Sequence, residues 1–304
     1  MPTARLPDRA LISVVGPDAE HLLQNVITAD LDTLKPGEAM PSALLLPQGK
    51  ILFDFLVSRS GENGLLLECR ADVADDLVRR LMLYRLRAKA EISKLDQDFV
   101  TVSWETESDS SPSGSASSQP GAGSSENDSM EKGLRDLRFA EPARVWRCYG
   151  DAAVETSDLA RWHRFRVAQG IPESGSDYAL GDTFPHDVLL DQMSGVGFRK
   201  GCYVGQEVVS RMQHRGTARR RAVIASAEGS LPSPGTEIVA AGRPIGTLGS
   251  VAGDTAIALV RLDKAKAAMD AGQPITAGEA TLSLAIPSWA RFTFPQDTAA
   301  SEEA

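Results

Sequence analysis

One thiol in this sequence stands where reactivity is easily induced. Cys202 lies in "RKGCYVGQEVVSRM", between Gly201 and Gly205, with Arg199 and Lys200 before it and a helix-forming run after it. A cysteine just ahead of a helix amino terminus and beside cations sits in a field that favours the thiolate, the form that attacks electrophiles and binds metals. The alternative for an isolated cysteine is a small buried hydrophobe. The histidines, His21, His163, His186 and His214, supply no fixed cysteine–histidine–acid order, so a thiol hydrolase finds no support. Cys69, Cys148 and Cys202 are too few for a four-thiolate iron–sulfur site, and their spacing makes neither a metal knuckle nor a disulfide framework. They read as reduced thiols, and no resident metal site is expected.

Two other features carry charge where it has a use. Arg211, His214, Arg215, Arg219, Arg220 and Arg221 crowd into one stretch of a chain whose formal net charge is -9. Arginine forks there suit a carboxylate-rich or phosphorylated ligand, and the competing reading is a solvated charge run leading into a strand. Net negative charge disfavours a general nucleic-acid coat, so any anion site must be local. Asp54 interrupts the apolar run "ILFDFLV". Strict alternation puts it on one face with Leu52 and Leu56, either inward and in need of a partner or outward on a strand edge.

The elements that must position these residues follow from pattern. "ALISVVG" reads as a strand, Gly16-Pro17 opens a helix carrying Leu22, Leu23, Val26 and Ile27, and Pro47-Gln48-Gly49-Lys50 turns a hairpin between two apolar runs. The order from Ser42 to Trp104 reads β-β-β-α-β-β, with Val73, Leu77, Leu81 and Tyr84 at helical spacing. The Ser/Gly-rich stretch 105–133 offers little apolar surface to repay ordering and reads as a disordered insert. "DLARWHRFRVAQGIP" is a helix stopped by Gly170 and Pro172, "QEVVSRM" another helix, and short β runs broken by Gly and Pro beyond Arg221 predict a small β-barrel. No apolar run is long enough to span a bilayer, and the amino terminus lacks the apolar core of a secretory signal. A cytoplasmic protein without membrane contact is expected.

The string K-G-C-Y-V-G-Q-E, Lys200 to Glu207, resembles the signature of the YgfZ branch of the folate-binding, aminomethyltransferase-like (GcvT-like) superfamily. "LLQNVITADLDTLKPGEAMPSALLLPQGKILFDFLV", "FRVAQGIP" and "RGTARRR" are similar to further blocks of that family. The resemblance implies an α+β fold, a GcvT-like three-domain ring around a folate channel: two interwoven ferredoxin-like α+β units, 1–41 with 135–215 and 42–104, a barrel at 216–295 and a tail at 296–304. It implies an accessory factor that binds tetrahydrofolate or a derivative and assists maturation or repair of iron–sulfur enzymes, including tRNA-modifying ones, together with the iron–sulfur assembly machinery; the sequence leaves oligomeric state open, with a monomer as the default. It places that factor in bacterial cytoplasm, or in the mitochondrial matrix of a eukaryote. The implied catalytic residues are Cys202, Lys200 and Asp54. The implied folate contacts are Gln48, Asp191, Gly201, Tyr203, Gly205, Gln206, Glu207, Arg211 and Arg215. The aminomethyltransferases carry a paired acid where this chain has Phe53-Asp54, and a pterin-gripping glutamate where it has Ala168, which argues against glycine-cleavage chemistry. A folate-dependent aminomethyl or methyl transferase and a non-enzymatic tRNA- or protein-binding module are the alternatives.

Overall fold

The computed structural model describes residues 1–96, 100–105, 133–150 and 159–295. The body of the expected insert at 105–133 and the tail at 296–304 lie outside the described residues, although Glu105 ends a strand. Contacts divide the chain into two compact units, Met1–Trp162 with Met193–Gln206, and His163–Gln192 with Glu207–Ala304.

The first unit is built on a nine-stranded sheet. In chain order it contains β1 (Thr3–Leu6), β2 (Arg9–Val15), the short helix α1 (Ala19–Gln24), β3 (Glu38–Leu45), β4 (Ile51–Ser60), β5 (Gly64–Arg70), helix α2 (Ala74–Arg85), β6 (Glu91–Lys94), β7 (Val100–Glu105), β8 (Leu134–Asp136) and β9 (Arg144–Tyr149). The spatial order is β1-β7-β9-β8-β3-β4-β5-β2-β6, and the β3–β8 pair is parallel among antiparallel neighbours. Strands from both expected α+β pieces therefore share one sheet. The predicted β-β-β-α-β-β order is present as β3 to β7, but β6 pairs with β2, and β7 with β1 and β9.

Alternation in β2, β4 and β5 turns Ile12, Val14, Phe53, Phe55, Val57, Leu65 and Leu67 into one core, against which α1 lays Leu22 and Leu23 and α2 lays Leu77 and Leu81. Trp104 and Trp162 are fully buried, with ring centroids 5.4 Å apart. Buried charges also sit in this unit. Arg147 of β9 bonds Glu68 of β5 at 3.1 Å and Asp136 of β8 at 3.0 Å, and Arg9 of β2 bonds Glu68 at 2.9 Å.

The second unit has a seven-stranded antiparallel sheet in the order β15-β14-β11-β12-β13-β10-β16. Its strands are β10 (Arg220–Ser226), β11 (Glu237–Ala240), β12 (Arg243–Ala252), β13 (Thr255–Arg261), β14 (Ile275–Ala277), β15 (Ala280–Thr281) and β16 (Ser283–Ala285). Helix α3 (Leu159–Ala168) leads into this unit and ends at Gly170, whose φ of +68° is the left-handed turn that stops a helix. Helix α4 (Gln206–Arg215) follows the cysteine motif, and α5 (Leu262–Asp270) packs Leu262, Ala265 and Ala268 on the sheet's core.

Candidate functional site

The Cys202 loop belongs to the first unit, and four contacts fix its course. Thr28 donates its hydroxyl to the Gly195 carbonyl at 2.7 Å, and the Gly197 N–H donates to the Thr28 carbonyl at 2.7 Å. The Lys200 ammonium donates to the carbonyls of Ile27 at 2.9 Å and Ala29 at 2.6 Å. Gly205 closes the loop with φ +78°, and a Cβ there would stand 2.6 Å from the Leu46 carbonyl and 3.1 Å from the Gly49 Cα. The loop is thus seated on the segment after α1 and on the β3–β4 turn that carries Gln48.

Glycine does different work at three positions of this loop, Gly197, Gly201 and Gly205. At Gly197 a Cβ would meet the Lys200 stem at 2.7 Å and Asp30 at 2.9 Å, so the missing side chain makes room for the lysine. Gly205 provides a sterically demanding turn. Gly201 has no heavy atom within 4 Å of a built Cβ, and its conformation does not require glycine.

Burial sorts the three thiols. Cys69 is fully buried on β5, and burial pushes its pKa up to about 12. Cys148 on β9 is half-buried, and burial raises its pKa too. Cys202 is exposed. Reagents and partners in water therefore reach Cys202 most easily.

Lys200 does not present a free charge to the thiol. Its ammonium is committed to two carbonyls and lies 5.4 Å from the centroid of the Tyr203 ring, while burial pulls its pKa down to about 8 against the opposing pull of Asp30 and Asp32. Tyr203 is buried, and burial raises its hydroxyl to about 12. Gln206 begins α4, its N–H reaching the Tyr203 carbonyl at 3.3 Å, so Cys202 precedes the helix by one loop turn. Gln48 is exposed on its turn. Asp54 is half-buried on β4 opposite Ala43, and its charge acts on the buried Cys69 thiol.

Asp191, Glu207, Arg211 and Arg215 lie in the second unit. Asp191 is almost wholly buried and bonded by Arg221 at 2.7 Å, with Arg221 also donating to the His186 carbonyl and lying 4.8 Å over Phe292. Arg220 bonds Asp187 at 2.8 Å, and Arg211 bonds Glu207 at 2.6 Å one turn along α4. The basic stretch therefore divides. Arg220 and Arg221 stitch β10 to the 186–191 segment, while His214, Arg215 and Arg219 remain exposed. Sequence reasoning missed Thr28, Gly197 and Asp30, whose link to the cysteine depends on contacts across about 170 residues. "ITAD" carried the local signal of a polar stop after a helix and nothing more.

Residues 219–292 match the family described as CAF17, C-terminal beta-barrel domain. The chain is 31% identical over 309 residues to the mitochondrial iron–sulfur cluster assembly factor IBA57 of Homo sapiens, covering 94% of this chain and 84% of that protein. The corresponding Mus musculus factor is 31% identical over 288 residues, covering 86% and 78%. Among solved structures, aminomethyltransferase T of the glycine cleavage system from Bartonella henselae matches with a TM-score of 0.66 at 18% identity, over 93% of this chain and 84% of that one. That likeness establishes the aminomethyltransferase-type fold.

Proposed function

Because the chain belongs to the IBA57 family of iron–sulfur cluster assembly factors, we propose that it acts, as a monomer, in the maturation of iron–sulfur enzymes, with the Cys202 thiol as its working group. The observation that carries this reading is the contrast between one exposed thiol on an anchored loop and two withdrawn ones. A cluster is cargo here. Among the described residues no group of three or more histidine, cysteine or acidic side chains is placed to hold a metal. A cluster engaging Cys202 takes its remaining ligands from the assembly machinery. The place of action is the mitochondrial matrix in a eukaryote and the cytoplasm in a bacterium. The test is complementation of a deletion strain with the native gene and with Cys202→Ala, reading the activity of a cluster-dependent enzyme and tRNA thiomethylation. Full rescue by Cys202→Ala would remove the thiol from the account.

Tetrahydrofolate binding is the second reading, favoured by the shared fold and by Asp54 on the hairpin strand. The polar side chains do not form a pterin grip by themselves: Asp191 is committed to Arg221, and the space at Gly205 is filled by the hairpin turn. A ligand bound to the folded state raises its melting temperature, so titration with tetrahydrofolate tests the reading. An unchanged melting temperature and no one-carbon transfer from a panel of amine donors would discard both folate binding and the transferase. Transient tRNA contact at Arg215 and Arg219 predicts salt-sensitive binding that vanishes when both are neutralised.

A further inference from the structure

Helix α2 ends in a conformation that its sequence does not favour. Leu86 has φ +43° and ψ −103°, and the Ala88 N–H closes the turn onto the Arg85 carbonyl at 2.7 Å. That combination is the first central position of a type II′ turn, where glycine is the fitting residue and a branched side chain is strained. The strained leucine is also 84% exposed. Beside it Leu83 is 67% exposed and Met82 40% exposed. Neither folding nor solvation explains an apolar side chain held in this way, and strain kept at a surface points to use by something outside the chain.

The surroundings identify what that is. Residues 79–89, "RRLMLYRLRAK", carry Arg79, Arg80, Arg85, Arg87 and Lys89 and no acid. The acids of this helix are at its other end, where Asp75 pairs with Lys94 and Asp76 with Arg79. Arg85 is partly engaged with the Ala90 carbonyl, while Arg87 and Lys89 are exposed. An apolar centre rimmed by cations complements an apolar centre rimmed by carboxylates. A bilayer is the weaker match, because three apolar side chains offer little insertion and a chain of net charge -9 is repelled by anionic lipid. Nucleic acid has no use for the leucines.

We propose that the carboxy-terminal end of α2, centred on Leu83 and Leu86, is a docking surface for a partner protein that presents acidic residues around an apolar patch. The proposal goes beyond the thiol reading and does not depend on it, since no residue of the Cys202 loop takes part. Its test begins with the photo-crosslinking residue benzoylphenylalanine in place of Leu83, in cells of the source organism, and identification of the cross-linked molecule. That molecule is then purified and titrated against the native chain, Leu83→Ser, Leu86→Gly and the double reversal Arg79→Glu with Arg87→Glu. The expected result is an acidic protein whose Kd rises at least tenfold with each variant and rises with salt for the native chain. Leu86→Gly should at the same time raise the Tm of the free chain by about 2–4 °C, because the turn is relieved. The proposal is overturned if the cross-link falls on a second copy of this chain, on tRNA or on lipid, if affinity is indifferent to the variants, or if Leu86→Gly lowers Tm and so marks the leucine as structural.

Discussion

At the scale of single residues, Lys200 has two roles open to it, attracting anions to Cys202 or holding backbone, and its contacts favour the second. Its ammonium spends two N–H groups on the Ile27 and Ala29 carbonyls, and a neutral amine would still satisfy both. Lys200→Met leaves those carbonyls unpartnered, which costs about 1–3 kcal/mol in urea unfolding and loosens the loop, so alkylation of Cys202 should speed up. An electrostatic activator would behave oppositely, slowing alkylation at unchanged stability. The pH dependence has a definite sign. With the folded pKa at about 8, below the ordinary 10.5, the folded state releases its proton first, so the burial penalty fades as pH rises through that window. Native stability should gain on the Lys200→Met variant between those values. Cys202 was legible in the sequence because its neighbours are local. The use of Lys200 was not, because the carbonyls it serves belong to a segment far away in the chain.

At the scale of elements, two glycines of one loop differ in steric demand. Gly205→Ala forces a Cβ toward the Leu46 carbonyl at a φ of +78°, and should cost about 1–3 kcal/mol and unseat the loop from the β3–β4 turn. Gly201→Ala meets open space and should leave urea unfolding unchanged within about 0.5 kcal/mol and Cys202 alkylation unaltered, so that the seat of the loop rests on Gly205. Equal losses of stability in both variants would contradict this division. The hairpin at Pro47-Gln48-Gly49, helix α2 and the Gly170 stop were readable because period and turn residues are written locally. The strand β8 was not. It is three residues long, and its parallel pairing with β3 is set by tertiary packing. Helix α5 did carry a signal, Leu262, Ala265 and Ala268 at helical spacing, but it was masked by the strand-rich run around it.

At the scale of the molecule, buried titratable groups act in one direction in the first unit and in two in the second. In the first, burial alone would push the Glu68 and Asp136 carboxyls up, but Arg147 and Arg9 around the one and Arg138 and Arg147 around the other outweigh it and hold both below their ordinary values. A depressed carboxyl contributes stability that is fully present above its unfolded pKa and is lost as pH falls through that value toward the folded one. In the second unit, burial outweighs Arg220 and raises the Asp187 carboxyl, so protonation there relieves a cost as pH falls, whereas burial lowers the neighbouring His186, whose protonation in acid adds one. Acid should therefore open β5, β8 and β9, where both buried carboxyls act in one direction, before β10 and β13, where Asp187 and His186 oppose each other. Hydrogen exchange followed by mass spectrometry after incubation at a series of pH values from about 6 to 3 reads this directly. The variant Glu68→Gln should reproduce the acid effect at neutral pH, because Arg147 then remains buried with one partner fewer, at a cost of about 3–5 kcal/mol. Loss of protection in β10 and β13 before β5 and β9 would overturn the assignment of acid sensitivity to the buried network.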